Sequence, residues 1–203
     1  MTMRVMLHGV EHLPQRGGCI LACTHISHLD PVCLSTLLPR KIHWMARIEF
    51  YRRAPVAALL HMMKTIPLNR FGVPLRAIKT SIAMARDGDV VGIFPEGEIK
   101  RGAESVLRGG PIKRGLCLIA QHSGCPIVPC VIVGTHELLR VGPWLPFRRG
   151  RLWIICGEPI APVVGADGKR KAREQMARQV QTAMIALFEE LKRRNEIDDT
   201  VAP

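Results

Sequence analysis

The chain has 203 residues, of which 47% are hydrophobic and 4% aromatic. This length suits one domain, and so apolar a composition can bury a full core, which excludes a disordered tail or a fibre. The 29 Lys and Arg residues outnumber the 17 Asp and Glu residues, which gives a net charge of +12. Such a surface attracts polyanions, so the candidate partners are nucleic acid, an anionic membrane face and phosphorylated substrates.

The scarcity of aromatic residues helps to distinguish nucleic acid from the other two candidate partners. Proteins that bind single-stranded nucleic acid interleave aromatic side chains with basic ones. This sequence has one Tyr, and it carries no zinc-finger or RNA-recognition signature. We therefore expect a membrane or phosphate partner and no nucleic acid.

The cysteines and the apolar stretches bear on the compartment. The seven cysteines lie on apolar stretches, and no two of them form a CxxC pair. The sequence before them does not resemble a secretory leader. These features predict buried, reduced thiols in a cytoplasmic protein. The longest apolar stretches, 54–63 and 115–133, are short or interrupted. Neither can span a bilayer, so any membrane contact is expected to be peripheral, at the inner face of the membrane.

Apolar runs predict strands, and apolar residues at helical spacing predict helices. In chain order we predict an edge strand at 4–10, a buried strand at 19–24, a helix at 30–38, a strand at 41–46, an apolar helix at 55–63, a short strand at 65–68, an amphipathic helix at 74–86, a buried strand at 90–94, a helix at 113–122, and buried strands at 127–133 and 152–156. Asp30 and Pro31 resemble an N-cap followed by Pro at the first helical position.

The end of the chain predicts a further helix. Residues 168–194 carry apolar side chains at helical spacing on one face and basic residues on the other. Strands alternate with helices throughout, and no internal repeat or linker interrupts them. The sequence therefore predicts an α/β fold: residues 1–203 form a single domain with a mostly buried mixed sheet flanked by helices.

The first candidate site lies where a buried strand ends and a helix begins. His25 and Asp30 have four residues between them, a spacing that can bring the carboxylate to an imidazole nitrogen. The aspartate would fix the tautomer, and the other ring nitrogen could accept a proton from an alcohol. Three alternatives remain open: Asp30 only caps the helix, His25 and His28 are surface histidines, or Cys23 joins both histidines in a zinc site.

Two further candidate sites follow downstream. The second is Phe94-Pro95-Glu96-Gly97, where Gly permits close approach of a ligand and Glu can bind a hydroxyl; an ordinary turn is the alternative. The third is basic and comprises Arg70, Lys100, Arg101 and the segment Lys113-Arg114-Gly115. Arginine suits phosphate binding, with solvated surface charge as the alternative.

A nucleophilic serine is not expected. Ser27 lacks a G-x-S-x-G elbow, and Ser105 lies in a polar loop with no strand before it.

Taken together, these sites resemble the glycerophospholipid acyltransferase superfamily, typified by lysophosphatidic acid acyltransferases. The family's histidine and aspartate separated by four residues match His25 and Asp30, and its arginine after a short strand matches Arg70. Its Phe-Pro-Glu-Gly block matches 94–97, its Lys-x-Gly segment matches 113–115, and its apolar strand with a proline matches 127–132. The blocks occur in the family's order, from about Val5 to Glu158.

The resemblance implies a fatty acyl transfer from acyl-CoA or acyl-carrier protein to a lysophospholipid at a membrane. His25 is expected to act as the base and Asp30 to hold it, without a metal or cofactor. Glu96 and Gly97 are expected to position the acceptor. Backbone N–H groups near the start of the helix at Asp30 are expected to stabilise the oxyanion.

Two departures from the family pattern affect the acceptor. Thr24 stands where many members have Asn, and Glu98-Ile99 stands where the family has Thr-Arg. We therefore expect Lys100 or Arg101 to bind the acceptor phosphate together with Arg70. Lysophosphatidic acid is the expected acceptor, with lyso-ornithine lipid and glycerol 3-phosphate as alternatives. The competing class is a non-catalytic peripheral module that binds lipid or a carrier protein.

Overall fold

A seven-stranded sheet organises the part of the chain that the computed structural model describes, namely residues 4–69, 74–136, 151–163, 169–195 and 197. The strands are β1 (Arg4–His8), β2 (Cys19–Cys23), β3 (Ile42–Arg47), β4 (Ile66–Leu68), β5 (Val90–Ile93), β6 (Ile127–Val133) and β7 (Arg151–Cys156). The helices are α1 (Asp30–Leu37), α2 (Ala54–Met62), α3 (Leu75–Arg86), α4 (Gly115–Ser123) and α5 (Lys169–Asn195).

The strand order is β1-β7-β6-β2-β5-β3-β4, and the sheet is mixed. Strands β6 and β7 pair in antiparallel fashion, and the other neighbouring pairs are parallel. The predicted α/β class with a mixed sheet is confirmed. Strand β1 lies at one edge, as predicted, and β4 lies at the opposite edge.

Side chains along each strand point alternately to the two faces of the sheet, and a core covers each face. In β2, Ile20 and Ala22 join a core that includes α3, α4 and α5, whereas Cys19, Leu21 and Cys23 join a second core that includes Leu34 of α1. A strand that is covered on both sides needs apolar residues at every position. For this reason the buried strands could be predicted from continuous apolar runs in the sequence.

Helix α5 is the predicted C-terminal amphipathic helix. Its apolar stripe packs on the sheet, and each of its five buried side chains is at most 4% exposed; they are Met176, Val180, Met184, Phe188 and Leu191. The apolar face of α5 is therefore occupied by the core, which removes it as a lipid-binding surface of the competing non-catalytic class.

Helix α2 behaves differently from an ordinary core helix. It is apolar on most sides, yet none of its residues is buried, and Leu59 and Met62 are 38% and 73% exposed. Helix α2 packs mainly on the 3-10 turn Ile48–Arg52 at the β4 edge of the sheet, so it does not join either core. Among the described residues, no helix is both long and apolar enough to cross a membrane.

The cysteines are all free, and five of them are buried. Burial raises the pKa of the Cys19 and Cys117 thiols to about 11. Such thiols stay protonated and unreactive at neutral pH.

The topology places the two main candidate sites side by side. Strands β2 and β5 are parallel neighbours, with Ala22 opposite Ile93. Their carboxyl ends therefore meet at one edge of the sheet. The loop after β2 carries His25, and the turn after β5 carries Phe94 to Gly97, so both loops reach the same place.

Candidate active site

The centre of the site is the pair formed by His25 and Asp30. His25 Nδ1 lies 2.9 Å from Asp30 Oδ2. The Asp30 side chain is fully buried, while the His25 side chain is 14% exposed. The structure thus brings together the two predicted catalytic residues and leaves part of the imidazole accessible.

The loop between β2 and α1 folds around the Asp30 carboxylate. Oδ2 also accepts hydrogen bonds from the N–H groups of Ile26, at 2.7 Å, and Ser27, at 2.8 Å. Because backbone N–H groups can only donate, Oδ2 is an acceptor and the Nδ1 proton of His25 points at it. The lone pair of the imidazole is then on Nε2, which is the tautomer that a general base requires.

The predicted capping role of Asp30 is wrong. Leu29 occupies the N-cap position, and no side chain caps α1. Oδ2 of the carboxylate instead accepts from donors that precede the helix. This oxygen is therefore committed to His25 and its loop.

Phe94 fixes the plane of the imidazole. Its ring stacks on His25 with centroids 4.0 Å apart and an interplanar angle of 18°. On its other side Phe94 stacks on Trp44 at 4.7 Å, and the Trp44 indole N–H donates to Ser35 at 2.9 Å. The sequence interpretation gave Phe94 no role, although its place directly after β5, next to β2, was a usable signal.

Glu96 is buried and makes its contacts within the protein. Its Oε2 accepts from the His25 backbone N–H at 3.1 Å, and its Oε1 accepts from the Ser105 hydroxyl at 3.1 Å and from the Val106 N–H at 2.8 Å. Burial raises the pKa of Glu96, and the three donors oppose that shift. These contacts hold the His25 loop against residues 105–106, and the expected role of Glu96 in positioning the acceptor stays a prediction.

Gly97 has a φ of +78°, which a side chain rarely adopts, and its N–H donates to the Phe94 carbonyl at 2.9 Å. A Cβ at this position would lie 3.4 Å from the aliphatic carbons of Lys113. Lys113 of the predicted basic site therefore lies over the Phe94–Gly97 turn. Gly is favoured at this position because the tight turn needs a positive φ and because the absence of a Cβ leaves room for Lys113.

The other predicted phosphate ligands differ in their surroundings. Lys100 Nζ lies 3.0 Å from Glu98 and 2.8 Å from Glu104, and hydrogen bonds to Glu104 and Glu98 raise its pKa. Arg101 is exposed. Arg70 lies outside the described residues.

Several alternatives lose support from the local geometry. The N–H of Asp30 donates to the Ser27 carbonyl, and that of Leu29 donates to Ser27 Oγ, while those of Ile26 and Ser27 bind Asp30. Four of the backbone N–H groups around the start of α1 are therefore already engaged within the protein. Ser27 and Ser105 are fully buried. Within the described ranges, no group of three or more His, Cys, Asp or Glu could hold a metal ion.

Glu96→Gln is expected to separate positioning of His25 from binding of the acceptor. The amide N–H₂ would face a backbone N–H in either orientation, so one hydrogen bond becomes repulsive. We expect kcat to fall about 100-fold, the order of loss from a small displacement of a reacting group, with the acceptor KM within about twofold. Steady-state kinetics with varied acceptor measure this split. A large rise in the acceptor KM at constant kcat would instead support a role of Glu96 in binding the acceptor.

Comparison with known proteins gives consistent matches. A family model described as Acyltransferase matches residues 4–133. The 1-acyl-sn-glycerol-3-phosphate acyltransferase of Bacillus subtilis is 34% identical over 157 residues, which are 77% of this chain and 73% of that protein. The enzyme of the same name from Borreliella burgdorferi is 27% identical over 198 residues, covering 90% of this chain and 74% of that protein.

A solved structure shares the fold. The crystal structure of the 1-acyl-sn-glycerophosphate acyltransferase PlsC from Thermotoga maritima superposes with a TM-score of 0.72. The match covers 94% of this chain and 73% of that chain at 24% sequence identity. The α/β fold described above is therefore shared with a solved protein.

Proposed function

This chain belongs to the acyltransferase family, and from that premise we propose that it moves a fatty acyl group from a thioester to the hydroxyl of a lysophospholipid, with lysophosphatidic acid as the acceptor, in phospholipid synthesis. The observation that carries the proposal is the hydrogen bond between His25 Nδ1 and the buried Asp30 carboxylate. This bond leaves the lone pair on Nε2, where it can act as a base, at the edge of the sheet where the carboxyl ends of β2 and β5 meet. The names of the two bacterial relatives described above specify this class of acceptor.

The reaction needs a base and a leaving group. His25 Nε2 takes the proton of the acceptor hydroxyl while the oxygen attacks the thioester carbonyl carbon. The tetrahedral intermediate then collapses, the C–S bond breaks, and the imidazolium returns its proton to the departing thiolate. The products are a new ester and a free thiol. Asp30 stabilises the imidazolium by its charge.

Cations around the Phe94–Gly97 turn supply the binding site for the acceptor phosphate. Arg101 is exposed, and Lys113 lies over Gly97. Lys100 is a weaker candidate because it already pairs with Glu98 and Glu104. Arg70 remains part of the proposal by its place in the sequence pattern, since arginine binds phosphate with two parallel hydrogen bonds.

The donor is acyl-CoA or acyl-carrier protein, and both are anionic. The net charge of +12 favours the approach of either one. The donor thioester is already activated, so the proposed chemistry requires no resident metal or cofactor.

We further propose that the protein docks at the inner face of an anionic membrane. Helix α2 and the turn before it present apolar side chains to solvent: Ile48 is 42% exposed, Phe50 39%, Leu59 38% and Met62 73%. Basic Arg52 and Arg53 lie between them in sequence. The Phe50 ring is 6.3 Å from His28, whose ring is 6.2 Å from His25, so the apolar surface borders the site.

Met62→Gln is expected to weaken binding to anionic liposomes roughly tenfold, because it removes apolar area that the bilayer would bury. Flotation at low and high salt with anionic and neutral lipids measures this. The charge-driven part of binding should fall as salt rises, because screening acts within about 8 Å at physiological salt. Leu7→Gln is the matched control, since Leu7 is 40% exposed on β1 at the far edge of the sheet. Equal losses for both variants, or no flotation with any lipid, contradict this docking surface.

The acceptor is tested by product analysis. The protein is incubated with an acyl-CoA or acyl-carrier protein and separately with lysophosphatidic acid, lyso-ornithine lipid or glycerol 3-phosphate, and thiol release and lipid mass spectrometry are recorded. The proposal expects a phosphatidic acid product from lysophosphatidic acid, which His25→Ala forms at least about 100-fold more slowly. Binding of lysolipid vesicles without thiol release would instead indicate a non-catalytic lipid-binding module.

A further inference from the structure

We propose that Thr135 is a positioning residue for the catalytic carboxylate, so that Thr135, Asp30 and His25 act as one hydrogen-bonded chain. The Thr135 hydroxyl donates to Asp30 Oδ1 at 2.5 Å, and both side chains are fully buried. The inference rests on the proposed function, since it takes His25 to be the base. Nothing in the sequence motifs pointed to Thr135, which lies 105 residues from Asp30.

The two oxygens of Asp30 are held in different ways. Oδ2 has three donors, which are His25 Nδ1 and the N–H groups of Ile26 and Ser27, and all of them come from the loop that precedes Asp30. Oδ1 is held by Thr135. A buried carboxylate oxygen that loses its donor carries an uncompensated desolvation cost. The removal of one hydroxyl therefore affects the carboxylate directly.

Geometry explains why this single contact controls the base. Donors that converge on Oδ2 restrain that oxygen but do not contact Oδ1, so they still permit small rotations about the Cβ–Cγ bond. A second contact at Oδ1 fixes the plane of the carboxylate. That plane sets the direction in which Oδ2 receives the His25 Nδ1 proton, and hydrogen bonds weaken when their angle departs from the preferred one.

Thr135 is itself placed by rigid elements. It follows β6 and Gly134, where φ is +96° and a Cβ would lie 2.1 Å from the Arg151 carbonyl oxygen of β7. The end of β6 is also tied to the residue before His25, because Thr24 Oγ1 donates to the Ile132 carbonyl at 3.2 Å and accepts from the Ile132 N–H at 3.0 Å. Thr135 therefore fixes Asp30 relative to the sheet, whereas the other donors fix it relative to its own loop.

The test compares Thr135→Val, which keeps the shape and removes the donor, with Thr135→Ser, which keeps the hydroxyl. Thr36→Val is the control, because the exposed Thr36 hydroxyl bonds, within the described part of the chain, to carbonyls of its own helix. We expect Thr135→Val to lower kcat about 10- to 100-fold, the range for a hydrogen bond to a charged group, with the KM of both substrates within about twofold. Thr135→Ser should restore kcat to within about threefold of the parent, and Thr36→Val should match the parent.

A proton NMR spectrum of the whole chain gives a second readout that does not depend on turnover. The His25 Nδ1 proton is expected as a downfield resonance that is absent in His25→Ala, shifted upfield or lost in Thr135→Val, and retained in Thr135→Ser. If no acceptor is turned over, the proposed function fails, while this spectrum still tests the chain of hydrogen bonds. An unchanged resonance or unchanged kcat in Thr135→Val, or equal losses in the Val and Ser variants, overturns the role of Thr135.

Discussion

His25→Ala is expected to lose acyl transfer about 10²- to 10⁴-fold, the range that a positioned general base contributes. The fold should persist, because the His25 side chain contributes one hydrogen bond and one stacking contact, and Asp30 Oδ2 keeps its two backbone donors. Thiol release from an acyl-CoA measures the loss. Thermal denaturation checks that the variant remains folded.

The control for this variant is His28→Ala. His28 is exposed, and its ring lies edge-on to His25 with centroids 6.2 Å apart. Among the described residues, no carboxylate pairs with His28 as Asp30 pairs with His25, so the loss of His28 should lower the rate only a few-fold, by altering the rim of the site. A greater loss for His28→Ala than for His25→Ala would mean that the base has been assigned to the wrong histidine.

Asp30→Asn is expected to cost up to about 10⁴-fold in kcat while leaving the fold largely intact, by analogy with the serine-protease triad, where the equivalent change has an effect of that size. The amide oxygen can take the place of Oδ2 and accept from Ile26, Ser27 and His25. The amide N–H₂ can then donate to the Thr135 hydroxyl in place of Oδ1. What the variant lacks is the negative charge that stabilises the imidazolium.

The measurement is kcat with saturating donor and acceptor, together with the melting temperature. Asp30→Ala serves as the contrast, because it leaves buried N–H groups without an acceptor and should lower the melting temperature clearly. An Asp30→Asn variant with activity within a few-fold of the parent would show that the charge of Asp30 is not used in the reaction.

The sequence by itself determined the fold class and made the pairing of His25 with Asp30 one of a few local possibilities. Strands covered on both faces need continuous apolar residues, so β2, β5, β6 and β7 could be recognised without knowledge of their neighbours. The five-residue separation of His25 and Asp30 spans one turn between a strand and a helix, and local geometry alone can close it. Both features depend on short stretches of chain, which is why the pattern could predict them.

Only the tertiary structure decided the contacts of Glu96 and Thr135 and the exposure of helix α2. Glu96 bonds to His25 across 71 residues, and Thr135 bonds to Asp30 across 105. Such contacts depend on which strands are neighbours, and spacing in the sequence does not encode that. Helix α2 has the composition of a core helix but lies at the edge of the sheet, where the described part of the chain leaves all of its residues unburied. Composition reports the tendency to leave water, whereas topology decides whether the protein or another apolar surface can satisfy it.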